Sequence, residues 1–114
     1  MVLNDLIALV EGRIVCGEHR AQEEVDYAFA SDLMSDVLTL RNKDFVLLTG
    51  LTNIQLIRTA EMSDLNYILL CRRKKANEEM LELARENGIM IIESPMSLFK
   101  ACGVLYGAGI KPIF

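Results

Sequence analysis

Residues 45–62 read FVLLTGLTNIQLIRTAEM. An apolar run, Phe45-Val46-Leu47-Leu48, ends in Thr49-Gly50-Leu51-Thr52-Asn53, and apolar residues at every third or fourth position follow at once. That order is the order of a strand, a tight turn and a helix. Thr52, with Gln55 three residues on, has the spacing of a capping box, which satisfies free amides at a helix start.

Two further copies follow. Tyr67-Ile68-Leu69-Leu70-Cys71 is a second continuous apolar strand, ended by Arg72-Arg73-Lys74-Lys75. Asn77 then caps a helix whose first turn carries Glu78 and Glu79, the sign the helix dipole prefers there, and Gly88 stops it. Ile89-Met90-Ile91-Ile92 is a third buried strand. Ser94-Pro95 opens a last helix from Met96 to Tyr106, with proline at its first position. The tail, residues 107–114, holds two glycines and one proline and is expected to be irregular.

Working back toward the start, residues 4–11 have the pattern of a short amphipathic helix with Gly12 as its stop. Arg13-Ile14-Val15-Cys16 is a short strand, and residues 17–24 a polar connection. Residues 25–30 alternate as a strand with one more exposed face does. Ser31-Asp32 is placed to cap a helix striped by Leu33, Met34, Val37 and Leu38 that ends near Arg41-Asn42-Lys43-Asp44. Strands that are apolar throughout, each followed by a helix, imply an α/β fold of three layers, α/β/α, around a mostly parallel sheet. Val46, Leu47, Leu48, Ile68, Leu69, Leu70, Ile91 and Ile92 are the expected core.

The 114 residues make one domain, and with 52% hydrophobic and 25% charged residues an ordered core needs no disulfide or metal. A net charge of −4 argues against nucleic acid as a partner. No apolar run reaches the ~18–20 residues of a membrane span, and the start lacks the basic segment of a secretory signal, so a cytoplasmic setting is expected. Cys16, Cys71 and Cys102 are far apart among apolar neighbours, and His19 is the one histidine. Neither a zinc-type cluster nor a nucleophile–base pair is formed by that set, and no cofactor is implied.

FASDLMSDVL (29–38), FVLLTGLTN (45–53), YILLC (67–71) and IMIIESPMSLFKACG (89–103) together resemble the DRTGG domain, a module related to the amino-terminal domain of HPr kinase. The resemblance runs over residues 12–108. It departs where the family has a Gly-Asp-Arg-like turn and a Thr-Gly-Gly turn, here Thr49-Gly50-Leu51-Thr52 and Cys71-Arg72-Arg73-Lys74. It implies a regulatory or dimerising α/β module that is attached to enzymes and is not itself catalytic. HPr kinase keeps its chemistry in a separate P-loop domain, and this chain has no G-x-x-x-x-G-K-[ST].

Two surfaces stand out. Thr49, Gly50, Thr52 and Asn53 lie at a strand's carboxyl end and a helix's amino end, where amides and the dipole favour an anion. Ser31-Asp32, Arg72, Arg73 and Ser94 belong to the same edge, and Arg72 or Arg73 could fork a phosphate or carboxylate. The bland reading is a capped turn beside a solvated basic loop. The last helix carries Met96, Phe99, Gly103 and Tyr106, an apolar belt wider than one core face needs, and Gly103 and Gly107 admit a close backbone. The expected function is a non-catalytic regulatory module, a homodimer acting on a partner protein. The alternative is a sensor of a nucleotide or other anionic metabolite at the sheet's carboxyl edge.

Overall fold

The computed structural model describes residues 1–40 and 44–114. Its elements are α1 (Leu3–Leu9), β1 (Arg13–Cys16), β2 (Tyr27–Ala30), α2 (Met34–Val37), β3 (Phe45–Thr49) and α3 (Ile54–Met62). β4 (Tyr67–Leu70), α4 (Glu78–Glu86), β5 (Met90–Glu93), α5 (Leu98–Gly107) and β6 (Lys111–Pro112) complete the chain. The six strands form one sheet in the order β1-β5-β4-β3-β2-β6. All neighbours are parallel except β1, which runs antiparallel to β5 through a bulge between Ile14 and Cys16.

The central strands are buried on both faces because they have no polar alternation to offer water. Val46, Leu48, Leu69 and Ile92 pack under Leu3, Leu6, Ala101 and Leu105, so α1 and α5 cover one face. Leu47, Ile68, Leu70 and Ile91 pack under Leu56, Ile57, Met80, Ala84 and Val37, so α2, α3 and α4 cover the other. All eight residues expected in the core are at most 1% exposed. The three-layer α/β/α architecture with a mostly parallel sheet stands as read. Gly17 is fixed by β5: at φ 85° an added Cβ would lie 2.5 Å from Met90 Cα.

The boundaries correct several expectations. α3 is capped by Asn53, whose extended backbone lets Oδ1 accept from the Leu56 amide at 3.1 Å; Thr52 does not cap it. α4 is capped by Asn77 as expected, with Met80 N at 2.9 Å. α5 begins at Leu98 behind a Ser97 cap, not at Met96 behind Pro95. The Ser94 hydroxyl explains the delay: it donates to Val10 O at 2.6 Å and accepts from Met96 N at 3.1 Å, holding 94–96 in a turn. α2 is a single turn, and Leu33, expected in its apolar stripe, is 62% exposed. The expected end of that helix falls on residues 41–43, outside the described residues. β2 starts at Tyr27 rather than at residue 25. The tail is not wholly irregular, because Lys111 N donates to Asp26 O at 2.8 Å and seats β6 on the edge of β2.

Candidate functional site

The β3–α3 turn lies at the carboxyl end of the sheet as the sequence requires, but its donors already hold a carboxylate of the chain itself. Asp32 Oδ1 accepts from the Thr49 hydroxyl at 2.7 Å and from the Gly50 amide at 2.9 Å. Thr49 is fully buried, and its Oγ1 accepts in turn from Leu51 N at 3.2 Å. The Gly50 amide and the Thr49 hydroxyl hold the Asp32 carboxyl below its ordinary value, against the opposing effect of burial. Asp32 therefore closes the turn instead of capping α2; Ser31 Oγ takes the Leu33 amide, at 2.9 Å. Asn53 is committed to its cap, and Thr52 is half-buried.

The basic run after β4 lies one strand further along. Arg72 and Arg73 are both in the left-handed region, at φ 58° and 60°, which ordinary side chains seldom adopt. Their amides are fastened across the gap to β5's exit, Arg72 N to Met96 O at 2.6 Å and Arg73 N to Ser94 O at 3.0 Å. Arg73, Lys74 and Lys75 then line a cavity of about 320 Å³ with Arg13, Glu11 and Glu93. Arg72 is not among its walls, and Ser94 contributes from a buried position with its hydroxyl already bonded.

Glu93 organises this cavity. It is only 8% exposed, yet its two oxygens are met by Arg13 Nη2 at 3.0 Å, Ala76 N at 2.9 Å and Lys75 Nζ at 3.6 Å. Burial pushes its carboxyl up, but the Ala76 amide, Arg13 and Lys75 outweigh that and leave the pKa below its usual value. A buried carboxylate held in this way stays charged and keeps two cations beside it. Arg13, Lys74, Lys75, Glu11 and Glu93 were not singled out by the sequence. Arg13 reaches the cavity only because β1 pairs with β5 in the register Arg13↔Glu93.

The last helix divides the four residues grouped on it. Met96 is 8% exposed and belongs to the core, since the turn before α5 folds it inward. Phe99 and Tyr106 are 90% and 70% exposed, and a Cβ added at Gly103 would meet nothing within 4 Å. Their spacing of four and three residues places Phe99, Gly103 and Tyr106 on one outer stripe. Tyr106 continues into an apolar cavity of about 300 Å³ bordered by Phe29, Leu48, Cys102, Ile110 and Phe114. Phe29 and Phe114 meet there edge to face at 6.0 Å.

A further cleft brings Cys16 and His19 near Arg85 and Gly88. Burial raises the Cys16 thiol, and Sγ donates to Ile89 O at 3.4 Å, so the thiolate that attack requires is disfavoured. Among the described residues no three His, Cys, Asp or Glu side chains gather as metal ligands, and no helix is long and apolar enough to cross a membrane.

An open, mostly parallel sheet with helices on both faces defines a class of small α/β domain. A solved structure of that class is the crystal structure of the CBS and DRTGG domains of the regulatory region of Clostridium perfringens pyrophosphatase, complexed with its activator diadenosine tetraphosphate. It matches 90% of this chain at a TM-score of 0.69 and 14% identity, and this chain spans 45% of its length. At that identity the likeness is one of fold. No family model matches the chain, and no curated protein sequence does.

Proposed function

We propose that this chain is a non-catalytic regulatory domain, related to the DRTGG domain, that works by association: two copies join through α5 and the pair acts on a partner protein. The observation that carries this reading is the outer stripe of α5. Two large aromatic side chains, Phe99 and Tyr106, stand largely in water on either side of a glycine with open space above it. Exposed apolar surface of this kind marks contacts, and twofold symmetry is the commonest way to bury it. The regulatory origin of the similar fold supports the same reading.

Gly103→Leu tests it without endangering the protomer. An added Cβ meets nothing within 4 Å at this exposed position, and leucine is a better helix former than glycine by up to about 1 kcal/mol. Light scattering at micromolar concentration is expected to give a dimer for the wild type and a monomer for the variant, with unchanged circular dichroism. A monomeric wild type overturns the proposal.

A second reading, the sensing of an anionic metabolite, is favoured by the basic cavity between β4 and β5. The Thr49–Asn53 turn is the poorer candidate for it, because Asp32 takes the same donors that an incoming anion needs.

A further inference from the structure

The winding of the sheet singles out one crevice. From β2 to β5 each strand lies beside its predecessor, and α2, α3 and α4 cross the same face. After β5 the direction reverses: α5 crosses the opposite face and carries the chain back to β6, beyond β2. The connections leaving β4 and β5 therefore diverge to opposite sides of the sheet. In open parallel sheets ligands are held at such a divergence, at the carboxyl ends of the two strands. The cavity bounded by Arg73, Lys74, Lys75 and Glu93 opens at that point.

Its charge is a second, separate observation. Arg13, Arg73, Lys74 and Lys75 face only Glu11 and Glu93, so four cations against two carboxylates leave a surplus of two positive charges. Arg13 and Lys75 share Glu93, whereas Arg73 and Lys74 have no carboxylate within ion-pair distance among the described residues. This surplus sits in a chain whose net charge is −4. The amino end of α4 adds little to it, since Asn77 and Glu93 already take the Met80 and Ala76 amides.

We propose that this crevice binds a small phosphorylated metabolite by a phosphate or diphosphate group, gripped by Arg73 and Lys74 with Arg13 and Lys75 at the rim. A dianion matches the surplus, and arginine with lysine supplies the fork and the point charge that phosphate oxygens take. A volume of about 320 Å³ suits a small molecule, and the negative charge of the whole chain repels an extended polyanion. The inference deepens the sensing reading and rests on it, while being independent of association through α5.

Calorimetric titration with inorganic pyrophosphate and with ATP tests it. The wild type is expected to bind at least one of them, more weakly as salt rises. The double substitution Arg73→Ala with Lys74→Ala should weaken binding tenfold or more. Glu11→Gln, which removes a negative charge from the rim, should tighten it, and Arg58→Ala, outside the cavity, should leave it unchanged. Tighter binding of ATP than of pyrophosphate supports the site and adds a contact to the nucleoside; equal binding supports the site with phosphate as the whole determinant. No heat with either probe overturns the proposal, as does equal affinity in the wild type and the double variant. Gly103→Leu titrated in parallel separates the two ideas: a monomer that still binds pyrophosphate leaves the crevice standing and removes only the dimer's relevance to it.

Discussion

At the scale of single residues, Asp32 shows how a side chain with an obvious local use is taken by a distant one. Beside Ser31 it has the position of a helix cap, yet its Oδ1 bridges to Thr49 and Gly50 on the neighbouring strand end. Ala30↔Leu48 is the pairing that brings the two strand ends level, and that register is a property of the assembled sheet. The contact has a pH signature. Because the folded pKa of Asp32 is depressed, its contribution is complete above the unfolded value of about 3.9 and is lost as pH falls through the lower folded value. Asp32→Asn does not titrate there. The urea midpoint of the wild type should fall more steeply than the variant's below about pH 4; parallel curves would contradict the bond. Glu93 titrates in both proteins and drops out of the comparison.

At the scale of elements, the test of the α3 boundary is its cap. Asn53→Ala should cost about 0.5–2 kcal/mol and Thr52→Ala much less, measured by denaturant unfolding; the reverse order would restore the Thr52–Gln55 box. Leu69→Ala belongs to the same scale. Leu69 is fully buried at the centre of β4, and its truncation should cost about 2–5 kcal/mol, whereas a loss under about 1 kcal/mol is incompatible with a sheet covered on both faces. β3, β4 and β5 were legible because residues 45–48, 67–71 and 89–92 are short, continuous apolar runs, each closed by polar or turn-forming residues. β6 was not: Lys111 and Pro112 are exposed, and they count as a strand only through the edge of β2. The start of α3 was ambiguous because Thr52 and Asn53 both suit a cap, and only the backbone angles at Asn53 decide. The anion-type turn could be read from its own residues. The crevice between β4 and β5 could not, since it depends on the reversal after β5 and on Arg13 arriving from the far end of the chain.

At the scale of the whole molecule, the two candidate surfaces are separate in chemistry and in place. The crevice is polar and lies where β4 and β5 end, whereas the exposed stripe of Phe99 and Tyr106 is apolar and lies along the outer side of α5. They are nevertheless joined through the segment between β5 and α5. The main-chain oxygens of Ser94 and Met96 hold the Arg72 and Arg73 amides, and Ser97 caps the helix that bears Phe99. The crevice and the stripe thus stand at opposite ends of one short segment.

The antiparallel seat of β1 also sets an order of events in time. Arg13 finds Glu93 80 residues along the chain, and Val10 finds Ser94 84 residues along. A ribosome adding roughly 5–20 residues per second needs on the order of 4–16 seconds to cover that separation. During that interval the amino-terminal strand exists with no edge to lie on, while β2, β3 and β4 can already pair with their near neighbours. Of these six strands β1 is made first and is among the last to be joined, and the rim of the basic crevice closes only with it.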